Sequence, residues 1–133
     1  MRMPDLSEDG WCLDNGEMYA AAAPSTFKIP HLDVRQALEP GDLAKLIFRI
    51  TLDDADGGPG AIEEYERMWV IVRERTSFGY LGVLDNKPYS IAENDSLWLG
   101  TELPFCAHHI IDVERSDETS RSIARSAPRI AWK

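Results

Sequence analysis

The sequence predicts a mainly β protein (α+β only at the margins): a small, strongly bent antiparallel sheet, or SH3-like β-barrel, of about five strands with one or two short helices. Residues 43–52 alternate apolar and polar side chains with the period of a strand. Residues 68–72 are uniformly apolar, which indicates a strand that is central or buried on both faces. Turn signals rich in Gly, Pro, Asn and Asp recur between the apolar runs.

The chain of 133 residues fits a single domain with two appendages. Residues 1–30 contain three prolines and a run of four alanines, and they predict an irregular arm held on the body by aromatic side chains. Residues 31–114 are expected to form the β-rich core domain, which starts with a short helix over residues 31–38. Residues 115–133 form a basic tail, predicted to be a weak helix or disordered.

The predicted strands follow in order along the core domain. The first strand carries one fully apolar face, made of Ala44, Leu46, Phe48, Ile50 and Leu52. The second strand, residues 66–74, is expected to place Trp69 as a large filler of the core. The third strand covers residues 80–84.

A strong turn signal follows the third strand. Asn86 is expected to cap this turn with its side chain, and Pro88 ends strand pairing because proline has no N–H to donate. Residues 90–99 fit either a helical turn or a loop anchored by Trp98. Two more short strands complete the sheet, at residues 101–105 and 109–113.

The charge is divided unevenly between body and tail. Residues 1–114 carry 21 acidic and nine basic side chains, a net −12, whereas residues 115–133 carry two acidic and five basic ones, a net +3. An acidic body repels phosphate backbones, which disfavours nucleic acid as a partner of the body, and it attracts basic proteins. If helical, the tail would align three arginines in a stripe that could contact nucleic acid or anionic lipid. A tail that folds back on the acidic body or stays in solvent is the favoured interpretation.

The sequence predicts a cytoplasmic protein that does not enter a membrane. Its longest strongly apolar stretch, residues 68–72, is far shorter than the roughly 20 residues that span a bilayer. The N-terminus is polar and acidic, unlike the basic start and apolar run of a signal peptide. Two cysteines, too few for a disulfide scaffold, fit a reducing compartment.

Four motifs stand in a fixed order between residues 41 and 114: a Gly-Asp strand at 41–48, Glu66-Arg67-Met68-Trp69-Val70, Gly82-Val83-Leu84-Asp85-Asn86-Lys87-Pro88, and the closing His109-Ile110-Ile111-Asp112. In this order they resemble the bacterial domain-of-unknown-function family 2314. The resemblance makes Trp69, Asn86, Pro88 and Asp112 the positions of a structural motif and implies no activity. Related small proteins occur among candidate immunity proteins of bacterial toxin systems. The turn at 53–64 is longer and more acidic than that family pattern.

Residues 53–66 contain the densest acidic cluster. Like charges this dense favour either solvent or a basic partner. The predicted partner-binding residues are Asp53, Asp54, Asp56, Glu63 and Glu64. Counted from Leu52, several of them fall at the ligand positions of a calcium loop, but the first ligand position lacks a carboxylate and the flanks are strands, which disfavours calcium.

Cys106, His108 and His109 form a compact Cys-x-His-His set of zinc-ligating residue types. A zinc site needs about four ligands, and the remaining candidates, Cys12 and His31, lie far away in sequence. No catalytic, cofactor-binding or metal-binding residue is therefore assigned.

The sequence thus favours a non-enzymatic domain that binds a protein partner with a basic surface, in the manner of an immunity protein that neutralises a toxin. The alternative is a small metal- or thiol-dependent enzyme, or a small-molecule-binding protein, that uses Cys106, His108 and His109.

Overall fold

The computed structural model describes residues 1–52 and 62–133 and confirms the predicted fold class. The described residues form a curled antiparallel sheet, about half of a barrel. Its strands are β1 (Trp11–Leu13), β2 (Leu43–Leu52), β3 (Ile62–Arg75), β4 (Tyr80–Leu84), β5 (Glu102–Phe105) and β6 (Ile110–Glu114). The helices are α1 (Leu6–Asp9), α2 (Gly16–Ala22), α3 (Leu32–Arg35) and α4 (Glu118–Arg125), and a 3₁₀ turn spans Ala107–His109. None of the helices in these residues is long and apolar enough to cross a membrane.

The β2–β3 hairpin forms the centre of the sheet. Its ladder runs over ten residue pairs, from Leu43 opposite Ile71 to Leu52 opposite Ile62. Strand β4 continues the sheet beyond the second half of β3, and β5 follows β4. On the other side of β2, β6 and β1 lie end to end, so that this edge of β2 is paired along most of its length.

The core lies on the inner, concave face of the sheet. The alternation predicted for β2 is confirmed, because Ala44, Leu46, Phe48 and Ile50 are all buried there. The five-residue apolar run of β3 is buried on both faces. Met68, Val70 and Val72 join the main core, whereas Ile71 packs on the outer face with Val83 and Ala124 of α4.

Trp69 is not the core filler that the sequence predicts. It lies on the outer face of β3 and is only half-buried. The Lys45 ammonium group sits 5.5 Å from the centroid of its ring. Both faces of β3 are covered near Trp69, so residues 68–72 are apolar on either face. A uniformly apolar run therefore does not show which of its residues face the main core. The β4–β5 connection is a loop, and it is anchored by the buried Leu97 rather than by the half-buried Trp98.

The first 30 residues are more regular than the sequence predicts. They contain α1, β1 and α2, and each helix begins at a side-chain cap, Asp5 for α1 and Asn15 for α2. Trp11 of β1 is only 1% exposed. Its indole N–H donates to Ser96 Oγ at 3.2 Å, and its ring lies 5.9 Å from that of Phe48.

The C-terminal residues cover the outer edge of β5. After α4, the Arg129 N–H donates to the Gly100 carbonyl and the Glu102 N–H donates to the Ile130 carbonyl, both at 2.9 Å. The Trp132 indole N–H donates to the Arg2 carbonyl at 3.0 Å, which ties the two termini together. Covering an edge in this way removes a site for strand pairing between molecules.

Candidate functional site

The three residues of the predicted cysteine–histidine set lie together at the corner after β5. One ligand atom from each of Cys106, His108 and His109 falls within 4.8 Å of the others, and the two imidazole rings are 4.1 Å apart. Cys106 begins the 3₁₀ turn, and His109 ends it. Among the described residues, this corner therefore brings together side chains that could bind a metal ion or carry thiol chemistry.

Hydrogen bonding at this corner makes His109 a structural residue. The Cys106 N–H donates to His109 Nδ1 at 2.9 Å, and the His109 N–H donates to the Cys106 carbonyl at 3.1 Å. A neutral imidazole has a single acceptor nitrogen, so the proton lies on Nε2 and no lone pair is free for a metal ion. The set therefore offers two ligands, fewer than the three protein ligands of an open catalytic zinc site.

The ionisation of the corner also disfavours catalysis. Burial, assisted by the neighbouring His108, lowers the pKa of His109 to about 4, so its imidazole is neutral at pH 7. Burial raises the pKa of the Cys106 thiol, which keeps it protonated at neutral pH. An activated cysteine nucleophile requires the opposite shift. The geometry thus supports a capped structural turn and not a nucleophile–base pair.

We expect His109 to make the folded state sensitive to acid. Its pKa of about 4 lies below its ordinary value of about 6.5, so the unfolded chain binds a proton that the folded chain excludes between these pH values. The contribution of neutral His109 to the free energy of unfolding should therefore be at its full value above pH 6.5. It should fall by up to about 3 kcal/mol as the pH drops to 4. His109→Gln should flatten this part of the urea-unfolding profile, whereas an NMR titration that places the His109 pKa near 6.5 would contradict the account.

A buried arginine, which the sequence did not single out, ties this corner to the N-terminal residues. Arg35 of α3 is 5% exposed, and its guanidinium donates to the Pro30 and Ala107 carbonyls and to Glu17 Oε2, each at 2.8 Å. One side chain thus joins α2, α3 and the 3₁₀ turn. The only sequence signal was weak helical spacing, which gives no reason to expect a buried charge.

The predicted acidic residues have different roles where the structure describes them. Asp53, Asp54 and Asp56 lie outside the described residues. The Arg49 guanidinium makes a two-point ion pair with Glu63, with nitrogen–oxygen distances of 2.5 and 3.0 Å, and holds the pKa of that carboxyl below its usual range. Glu64 is half-buried at the same end of the β2–β3 hairpin.

Glu66, the last acid of the cluster, is a structural residue. It is 5% exposed, and its carboxylate accepts hydrogen bonds from the Tyr89 N–H at 3.1 Å and the Ser90 N–H at 3.2 Å. The Ser90 hydroxyl donates to the same carboxylate. Glu66 is therefore occupied in holding the turn after β4 and is unavailable to a partner.

The family-motif residues lie on the outer face and in the turn after β4. The Trp69 N–H donates to Asn86 Oδ1 at 2.6 Å, and Pro88 is buried. Asp112 is exposed on β6, opposite Lys45, and its carboxylate accepts from the Val113 N–H at 2.9 Å. These contacts fit structural roles, since the Asn86 and Asp112 side chains both accept hydrogen bonds from backbone N–H groups of the sheet.

A cluster of aromatic and basic side chains, exposed except for the half-buried Phe27, lies beside the acidic hairpin. The Arg67 guanidinium sits 5.2 Å from the centroid of the Phe27 ring, which is itself 5.4 Å from the ring of Tyr19. Tyr65 is 49% exposed on the same face of β3 as Arg67. We call Tyr19, Phe27, Tyr65 and Arg67 the aromatic patch.

Each tyrosine of the aromatic patch lies against an acidic side chain, Asp14 for Tyr19 and Glu63 for Tyr65. The Tyr19 hydroxyl donates to Asp14 at 2.7 Å, and this bond, with burial, raises the pKa of Tyr19 to about 12. Tyr65 lies near enough to Tyr19 for the two phenols to interact electrostatically. The sequence did not indicate the patch, because two of its members come from the N-terminal residues and two from β3. Only the fold brings them together.

An open groove of about 860 Å³ lies between α3, the end of β6 and α4. Val34, Leu38 and Val113 supply apolar lining, and the rim carries both acidic and basic residues. Both oxygens of Asp42 at this groove accept backbone hydrogen bonds, from Ser116 and Glu39. The mixed charge of the rim favours no particular ligand.

No family model, curated protein or solved structure matches this chain.

Proposed function

We propose that this protein is a non-enzymatic binding domain for a protein partner with a basic surface. The observation that carries the proposal is the aromatic patch, which lies on the outer face of the sheet beside the acidic end of the β2–β3 hairpin. Tyr, Phe and Arg are the residue types enriched at protein interfaces, and exposed Tyr and Arg frequently dominate binding energy. A cluster of such residues on a small acidic chain fits a docking surface.

Charge supports a basic partner. The net −12 of residues 1–114 would steer a cationic protein towards the body and raise the association rate, more strongly at low ionic strength. Glu64 lies one residue from Tyr65 on β3, where a basic rim on the partner would meet it.

We further propose that the partner is a toxin that the protein neutralises in the bacterial cytoplasm. We propose the resemblance to family 2314 together with this role. It supports the role because related small proteins occur among candidate immunity proteins of bacterial toxin systems. The enzymatic alternative lacks comparable support, because His109 is engaged by the Cys106 N–H and the Cys106 thiol has a raised pKa.

Site-specific photo-cross-linking tests the proposal. A benzophenone amino acid replaces Tyr65 in one variant and Tyr89 in the matched control, since both tyrosines are exposed, at 49% and 80%. In cells that produce the protein naturally, we expect a discrete adduct from position 65 that excess unlabelled protein removes and that added salt weakens. Equal adducts from both positions, or no adduct from position 65, would contradict the proposed docking surface.

A further inference from the structure

The ladder between β3 and β4 ends at Trp69. Its carbonyl accepts from the Asp85 N–H at 2.9 Å, and its N–H donates to the Asn86 side chain at 2.6 Å. The paired residues of β3 on this side lie between Val70 and Arg75. The side-chain carbonyl of Asn86 thus replaces a backbone carbonyl as the acceptor for the Trp69 N–H. From Trp69 towards Ile62, β3 is no longer paired with β4.

Backbone alternation shows which groups remain on that side. Both backbone groups of Trp69 face β4, so the same groups of Glu63, Tyr65 and Arg67 face the same way, while the residues between them pair with β2. Within residues 1–52 and 62–133, the backbone N–H and carbonyl groups of these three residues have no hydrogen-bond partner on that side. We call Glu63, Tyr65 and Arg67 the open edge.

The turn after β4 passes beneath the open edge. The Tyr89 and Ser90 N–H groups bind the carboxylate of Glu66, whose side chain lies on the inner face. On the outer face, Tyr65 and Arg67 are exposed. Within the described residues, the turn therefore lies on the inner side of the open edge, and no strand pairs with the edge itself.

We propose that the open edge binds an extended, lysine- or arginine-rich segment of the partner as an additional β-strand. An unpaired edge with backbone donors and acceptors is a template for strand addition. Glu64 lies at this edge, Glu63 is paired with Arg49, and residues 1–114 as a whole carry a net −12. These charges favour a basic strand.

Side-chain alternation would then provide selectivity. In an added strand, every second side chain faces the outer surface of the sheet, where Tyr65 and the rest of the aromatic patch lie. Lysine or arginine at those positions would lie against the exposed ring of Tyr65, a favourable arrangement for a cation, since Arg67 already lies over the Phe27 ring. The inference rests on the proposed function, and it specifies how that docking surface recognises its partner.

Binding of a defined peptide tests the strand addition. The probe is an alternating Lys-Val heptapeptide, and the control is the same peptide with every backbone nitrogen methylated, which keeps its charge but removes its donors. Tyr65→Pro deletes one outward N–H without touching the β2 ladder, and Tyr65→Val keeps that N–H as the matched control. We expect Tyr65→Pro to weaken binding at least about tenfold relative to Tyr65→Val, and methylation to abolish it.

Three results would overturn strand addition at the open edge. They are equal binding by the two Tyr65 variants, equal binding of the methylated peptide, and no binding of the Lys-Val peptide. If Tyr65→Pro lowers the melting temperature, Arg67→Pro against Arg67→Val repeats the test at the next outward N–H. A dimer of the wild type that Tyr65→Pro dissolves in sedimentation would assign the edge to a second copy and also overturn it. A position-65 cross-link that persists when the peptide test fails would leave the proposed function intact.

Discussion

Replacing Trp11 by alanine is expected to lower the free energy of unfolding by about 3–5 kcal/mol, because a large, fully buried aromatic side chain leaves both a cavity and lost apolar burial. Trp11 is 1% exposed and contacts the rings of Phe48 and Trp132. Its indole N–H also donates to Ser96, so β1, the core, the β4–β5 loop and the C-terminus all meet at this residue. A loss of this size is a large part of the roughly 5–15 kcal/mol that stabilises a typical domain.

Urea unfolding monitored by far-ultraviolet circular dichroism measures the loss. Trp98→Ala is the matched control, because Trp98 is more exposed than Trp11 and should cost less. Equal losses for the two substitutions would show that Trp11 is not the principal contact between the N-terminal residues and the core.

The second large effect is expected for Glu66→Ala, with a loss of about 3 kcal/mol. Removing the carboxylate leaves the Tyr89 and Ser90 N–H groups without their acceptor, and hydrogen bonds to a charged group are worth about 1.5–3 kcal/mol each. Glu64→Ala, two residues away on the same strand, is the control and should change stability by less than about 1 kcal/mol.

Differential scanning calorimetry distinguishes the two glutamates. A melting temperature for Glu66→Ala as high as that of Glu64→Ala would mean that Glu66 is an ordinary surface acid, as its place in the acidic segment had suggested. A drop confined to Glu66→Ala would show that this acid holds the turn after β4.

The parts of the fold with one buried face could be predicted from the sequence. Strand β2 alternates because one face meets the main core while the other carries Lys45, Arg49 and Thr51, so its inward residues follow directly from the pattern. Strand β3 is covered on both faces near Trp69, and its uniform apolar run hides the direction of that side chain. The burial of Trp11 depends on contacts with residues 96 and 132, which no local pattern reports.

In the candidate sites, too, the sequence predicts which residues are near each other in the chain but not the contacts that depend on the fold. The closeness of Cys106, His108 and His109 follows from their adjacency in the chain, but the bond from the Cys106 N–H to His109 Nδ1 depends on the geometry of the turn. The aromatic patch combines positions 19, 27, 65 and 67, which only the packing of the N-terminal residues on β3 brings together. The partner-binding role of Asp53, Asp54 and Asp56 stays a prediction.

Amide hydrogen exchange along β3 tests whether the open edge receives a partner strand. In the free protein the N–H groups of Glu63, Tyr65 and Arg67 should exchange rapidly, whereas those of Glu64, Glu66 and Met68, which pair with β2, should be protected. Adding the Lys-Val peptide should slow exchange in the first set alone. Equal protection of both sets in the free protein, or no slowing when the peptide is added, would contradict the account.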